Sequence, residues 1–324
     1  MIRMKTIWKS KEMSMFLILI IISLIITLKN PVFLSVENIL DMLKSNVVLG
    51  IMAMGMLVVI ISGGIDVSVG AMIAAITVIV GNFLVHISNN ILLSFLVGGF
   101  AGIIMGGING LLVSMLEIPP IVVTLGTMSI INGIMLYYTN GNWINDIPNN
   151  FINFGTKTPL GIPIQIYFFF GAAILTWFIL KYTLFGRGVY AIGGNLLSAQ
   201  RIGYNVKRIK LLVYTLMGFL TGIAAVVHTS IMKQVDPNAF TGFELQVIGA
   251  VVLGGANVAG GMGSVWGTIV GVLLMAVINN GLILMHIPTF WQRFIIGLII
   301  VLAVSFDVIQ RKRSEKQFVR VDVE

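Results

Sequence analysis

The sequence predicts an all-α integral membrane protein of about ten transmembrane helices, with two glycine-rich helix breaks and both termini cytoplasmic. Three observations predict it. Of 324 residues, 57% are hydrophobic and 10% charged, with a mean hydropathy of +1.01; a soluble domain of this length must still cover itself with polar groups and has no use for so much apolar surface. The apolar residues fall in runs that can cross a hydrocarbon layer needing about 20 helical residues. Fifteen of the twenty Lys and Arg residues lie in three stretches, Arg3 to Lys11, Lys181 to Lys210 and Arg311 to Arg320, which an even number of spans places on one side, the cytoplasmic one.

The spans read as 13–29, 45–62, 70–87, 91–115, 119–138, 163–182, 209–230, 243–260, 264–285 and 290–309. The first follows a basic amino terminus as a signal peptide would, but no small-x-small cleavage site comes after it, so it is expected to be retained. One domain, 1–324, results: a cytoplasmic tail 1–12, an outer loop 139–162 rich in Asn, Gly and Pro, a cytoplasmic loop 183–208 and a cytoplasmic tail 310–324. Trp143 and Phe151 in the outer loop suit either a docked partner or the membrane interface, where aromatics settle for their own solvation. A second outer connection, 231–242, carries Lys233 and Asp236, and Glu244 is placed near the outer end of span eight.

The net charge of +8 is explained by the positive-inside bias and anionic lipid headgroups, so no nucleic-acid partner is implied. The chain has no Cys, which removes disulfides, thiolate metal sites and Cys nucleophiles. His86, His228 and His286 stand apart near span ends and form no ligand cluster. No Gly-Lys pair occurs, hence no phosphate-cradling loop, and no catalytic constellation is visible.

Glycines organise the spans. Gly102, Gly106 and Gly110, and likewise Gly263, Gly267 and Gly271, recur every four residues and predict close helix packing. The stretches ISGGIDVSVG (Ile61 to Gly70) and VLGGANVAGG (Val252 to Gly261) differ, since paired glycines break a helix and Asp66 or Asn257 can cap its restart. Aligned with each other, they pair Gly63, Gly64 and Asp66 with Gly254, Gly255 and Asn257, suggesting an internal repeat with a gate or hinge at its interface. Asp66 beside membrane-depth helices fits either a hinge at the inner mouth or a simple N-cap in a cytoplasmic turn. Asn46, Asn109, Thr124, Thr127, Asn132, Gln246, Asn279 and Asn280 are polar residues within apolar spans. They fit interhelical hydrogen bonding or, together, a path for a hydroxylated solute. Almost no ionisable residue is expected at mid-membrane, which argues against ion coupling.

The cytoplasmic stretch Phe185 to Lys210 carries Arg187, Arg201, Lys207, Arg208 and Lys210 with no acidic residue. Asn195 can cap a short helix running from Leu196 to Ile202, which Gly203 can end in the left-handed region. Such an element suits docking of a cytoplasmic partner, or only a topology anchor.

The segments GGIDVSVG, IPPIVVTLGTMSIINGI, FGRGVYAIGGNLLSAQRIGYNVKRIK and GFELQVIGAVVLGGANVAGGMGSVWGTIVG occur in this order. This order resembles the permeases of ribose-type ABC importers over residues 40 to 310. TNGNWINDIP and LMHIPTFWQRFIIGLIIVLAVSFD look most like autoinducer-2 import permeases, with rhamnose and other monosaccharide permeases near. The resemblance implies a second permease subunit, identical or related, a dimer of cytoplasmic ATPases that bind ATP and Mg, and an extracytoplasmic substrate-binding protein. This chain itself would hold no cofactor. The stretch 190–205 would be the coupling element, with Gly186, Arg187, Gly193, Gly194, Asn195, Ala199 and Gly203 matching the family pattern. The family's frequent acidic-Ala-Ala start reads Leu196-Leu197-Ser198-Ala199 here. A self-sufficient sugar carrier is the competing reading. It predicts transport without an ATPase.

Overall fold

A computed structural model describes residues 11–292, 294–299, 301, 302 and 305. The tails 1–10 and 310–324, with most of their expected basic residues, lie outside the described residues, as does part of the expected last span. The described secondary structure is helical apart from a single antiparallel bridge between Ile144 and Val235. In chain order the helices are α1 (Lys11–Lys29), α2 (Val36–Ser45), α3 (Val47–Ile61), α4 (Val69–His86), α5 (Ile91–Met115), α6 (Pro120–Thr139), α7 (Asn149–Gly155), α8 (Ile164–Tyr182), α9 (Leu184–Gly194), α10 (Leu196–Arg201), α11 (Val206–Met232), α12 (Phe243–Leu253) and α13 (Val265–Leu284).

Six of these, α4, α5, α6, α8, α11 and α13, are long and apolar enough to cross a membrane, and the bent pair α2–α3 makes up to seven among the described residues. The expected count of about ten is therefore not reached among the described residues. Two expected spans are instead short or broken. Expected span two, 45–62, is the 15-residue α3, which α2 precedes across a 48° bend, where Asn46 turns its side-chain amide onto the Met42 carbonyl at 2.9 Å. Span eight stops at Leu253, leaving α12 with 11 residues, about 16 Å of helix against a hydrocarbon core of about 30 Å.

The core is built on α3 and α11. Every residue of α3 from Val47 to Ile61 is buried, as expected for a helix apolar on all sides. The long helix α11 lies along α5 and also packs on α3 and α4. The expected glycine stripe is the reason for the close approach. A Cβ on Gly102 or Gly106 would collide with backbone carbonyls of Gly218 and Tyr214, and one on Gly222 with that of Gly98. Gly267 and Gly271 meet the backbone of Gly254 and Ala250 in the same manner. Without side chains at these points the backbones interlock, which supplies van der Waals contact where lipid offers no hydrophobic gain.

The fold has two ends. At one, Lys207 pairs with Glu117 at 3.3 Å, gathering the start of α11, the α5–α6 turn and the α9–α10 pair. At the other, α7 and the Ile144–Val235 bridge close the loops.

Candidate functional site

The two glycine breaks end their helices identically. Gly63 N–H donates to Ile60 O (2.9 Å) and Gly64 N–H to Val59 O (3.1 Å), while Gly255 N–H donates to Val252 O (2.9 Å) and Ala256 N–H to Val251 O (3.2 Å). Gly63 and Gly255 both sit in the left-handed region, φ 84° and 89°, and both breaks form the six-to-one and five-to-two bonds of a glycine C-cap. Aligning the two stretches by sequence pairs Gly63 with Gly254, which is right-handed at φ −68°. The helix ends therefore correspond one residue later, while the polar turns beyond them keep the expected register: Asp66 Oδ1 accepts from Ser68 N–H (2.9 Å) and Asn257 Oδ1 from Ala259 N–H (3.0 Å). The second turn is one residue tighter. Asn257 does not cap the next helix, as expected from sequence; Ser264 does, accepting from Gly267 N–H at 2.9 Å.

Asp66 is fully buried. Ser68 Oγ donates to it at 2.6 Å, Asn109 Nδ2 lies 2.8 Å from Ser68 Oγ and 3.4 Å from Asp66 Oδ2, and Thr124 Oγ1 reaches the neighbouring Ile65 carbonyl at 3.4 Å. Tyr214 fills the space beside Gly64, its hydroxyl 2.6 Å from where a Cβ would stand. The surroundings are not those of a solvated turn. Asp66, Asn109 and Thr124, separate expectations in sequence, form one enclosed cluster that holds the first break to α5 and α6.

The expected coupling stretch meets both breaks. A Cβ on Gly193 would strike the Ile61 carbonyl, and ones on Gly260 and Gly261 would press on Gly193 O (2.8 Å) and Gly194 Cα (2.9 Å). Gly261 N–H donates to Ile61 O at 2.8 Å, and Tyr190 Oη donates to Gly263 O at 2.8 Å. Here the absence of side chains is required by a three-way backbone contact. A cavity of about 300 Å³ opens beside it, between Gly63, Leu196, Lys210 and Tyr214.

Within the stretch itself, α10 forms as the sequence predicts: Asn195 Oδ1 accepts from Ser198 N–H at 2.8 Å and Gly203 has φ 93°. Two points differ. Residues 184–194 are helical as well, capped by Thr183 on Gly186 N–H at 3.0 Å. Gly186 and Ala199 are buried against this chain, so the surface offered outward includes Arg187, Asn195, Gln200 and Arg201 together with the apolar Leu197 and Ile202, 65% and 73% exposed. Sequence reading misses these last two because apolar residues in so apolar a chain carry no signal until their exposure is known.

A second cavity, about 280 Å³, opens toward the other end, between α4, α6 and the segment 236–242. Its polar lining is Asn132, Thr139, Asn238, Thr241 and Glu244. Glu244 lies in the first turn of α12, its carboxylate against Gly70 at the start of α4, whereas Val235 packs against Gly81. Gly70 and Gly81 are separated by about 16 Å of helix, so the chain descends that far between Val235 and Glu244. The expected position of Glu244 near an outer span end is therefore corrected: it sits at the floor of the cavity, level with the first turn of a spanning helix.

The remaining polar residues do not converge. Gln246 lines a separate cavity of about 480 Å³ with Phe243, Leu245 and Ile296. Asn280 and Asn38 exchange reciprocal amide bonds of 2.9 and 3.0 Å, and Asn279 is half-buried. Among the described residues no group of three His, Cys, Asp or Glu side chains is placed to hold a metal ion.

The family model described as branched-chain amino acid transport system / permease component matches residues 38–304. The chain belongs to this permease family. It is 39% identical over 306 residues to the ribose import permease protein RbsC of Bacillus subtilis (strain 168), covering 94% of each chain. It is 35% identical to the L-arabinose ABC transporter permease protein AraH of Azospirillum brasilense, covering 91% of this chain and 86% of that one. The autoinducer 2 import system permease protein LsrC of Enterobacter sp. (strain 638) is 34% identical, with 92% and 86% covered. No solved structure matches. The permease is a multi-pass membrane protein.

Proposed function

We propose that this permease is the membrane-spanning subunit of an ABC importer in the bacterial cytoplasmic membrane, carrying a monosaccharide or sugar-derived signal inward. A second permease subunit would complete the path, a cytoplasmic ATPase dimer would drive it and an extracytoplasmic binding protein would deliver the solute. The observation that carries the reading is the backbone contact of Gly193 and Gly194 with both helix breaks, because a push on α9–α10 reaches both at once. The relatives that import ribose and L-arabinose make a pentose the first solute to test, with autoinducer-2 second. The end bearing α9–α10 would be cytoplasmic, and Leu197 and Ile202 would enter the ATPase.

The test is reconstitution in liposomes with and without the ATPase and binding protein. ATP-dependent pentose uptake is expected only from the complete system; uphill uptake by the permease alone overturns the reading in favour of a self-sufficient carrier. Leu197→Glu, which buries no charge within the chain, is expected to abolish ATP-driven uptake and ATPase binding while leaving the melting temperature of the purified permease unchanged.

A further inference from the structure

We infer that Glu244 forms a transient solute subsite on the translocation path, accepting hydrogen bonds from a pair of neighbouring hydroxyl groups of an uncharged polyol. This deepens, and rests on, the reading of the chain as a sugar permease.

Four observations lead there. Glu244 is a half-buried carboxylate set against the first turn of α4, one of the helices long and apolar enough to span; among such helices ionisable groups are expensive and mark pathways. Among the described residues it has no hydrogen-bond or ion-pair partner, and no Lys or Arg lines its cavity. The carboxylate stands in the first turn of α12, a half-length helix whose Gly242 cap supplies no side-chain bond; the Phe243 and Leu245 N–H groups already donate to Phe240 O and Gly242 O, which leaves the carboxylate as the unanswered polar group at this helix start. Discontinuous helices starting inside the membrane are how transporters present such groups to solute. Finally, the rest of the polar lining, Asn132, Asn238, Thr139 and Thr241, both donates and accepts. That mixture matches hydroxyl groups, which do the same, whereas a cationic solute would leave the amide donors unanswered.

The cavity of about 280 Å³ is near the lower bound of about 300 Å³ for small-molecule sites, which suits one monosaccharide ring. Gly70 has its own part in this. A Cβ there would meet both the Glu244 carboxylate and Phe240 O (3.0 Å), so glycine keeps the carboxylate's place open. A carboxylate bonding to hydroxyls gives orientation without tight binding, as a translocation site needs for release.

The experiment uses the complete transporter in proteoliposomes, with uptake measured at increasing concentrations of pentose-loaded binding protein. Glu244→Gln is expected to lower the maximal uptake rate about ten-fold, the scale of a lost charge-assisted hydrogen bond. The half-saturating concentration of binding protein and the basal ATPase rate should not change. A second readout compares a pentose with its 2-deoxy analogue at saturation: wild type favours the full sugar, and Glu244→Gln brings the ratio of maximal rates toward one. Unchanged uptake and an unchanged ratio overturn the inference. So does loss of assembly or basal ATPase in both Glu244→Gln and Glu244→Asp, which would make Glu244 a structural group at the start of α12. Failure of wild type to take up any neutral sugar would instead remove the sugar-permease reading itself, and this subsite with it.

Discussion

The first break, 62–68, and the second, 254–264, begin with the same glycine C-cap and then part company. The first is short and is anchored by an acidic side chain: Asp66 is enclosed and bound by Ser68, just before α4, and by Asn109 of α5. The second is longer, its corresponding Asn257 bonds only within its own loop, and its Gly260 and Gly261, both at positive φ, lie against Gly193 and Gly194. One break is tied into the bundle by side chains, while the other is held through backbone contact with the α9–α10 element. Two stretches of similar composition thus serve as a fixed point and a point of grip.

The largest effect should come from the place where the two meet. Gly193→Ala puts a methyl onto the Ile61 carbonyl and the Gly261 amide, with backbone on both sides and nothing able to yield. Uptake is expected to vanish and the melting temperature to fall by several degrees, as for an overpacked core. Wild-type uptake in this variant would break the three-way contact as an account of coupling. Next, Asp66→Ala strands the donors of Ser68 and Asn109 in a buried site, costing about 1–3 kcal/mol per orphaned group. Asn257→Ala removes a bond to the amide of the exposed Ala259, which water can replace, and should cost about 1 kcal/mol or less. Thermal melts of the two variants measure the asymmetry, and equal losses would show that the first break is no better anchored than the second. The smallest effect is at the end of the helix before the first break. Gly63→Ala meets only Ala259 O at 3.9 Å, so its penalty is that of the left-handed backbone alone, about 1 kcal/mol. Gly254→Ala, right-handed but against Gly267 O and Thr268 Cα, should be the more damaging, which sharpens the one-residue offset between the two breaks.

Several of these features are legible in the chain. Asn195, Gly203 and the residues between them specify α10 through local capping and backbone freedom, and the four-residue spacing of Gly102 and Gly106 announces a close helix neighbour without naming α11. Ala199 is legible as part of α10, but not as facing inward, since a six-residue helix with apolar residues on several sides gives no direction. Glu244 stands out as a carboxylate among spans, yet sequence places it at an outer boundary, because hydropathy measures how apolar a segment is and not how deep the chain has already descended when the segment starts.

By itself, the sequence determined the features that local chemistry and composition dictate: a helical membrane chain, glycine breaks at two positions, a capped basic segment between spans. Only the tertiary structure decided that α12 is half a span, that Asp66 is enclosed with Asn109 and Thr124, and that Gly193 touches both breaks. Local rules act over a turn or two of backbone, whereas depth and contact between segments far apart in the chain arise from packing the whole bundle, where a glycine's missing side chain matters only once its neighbour is in place.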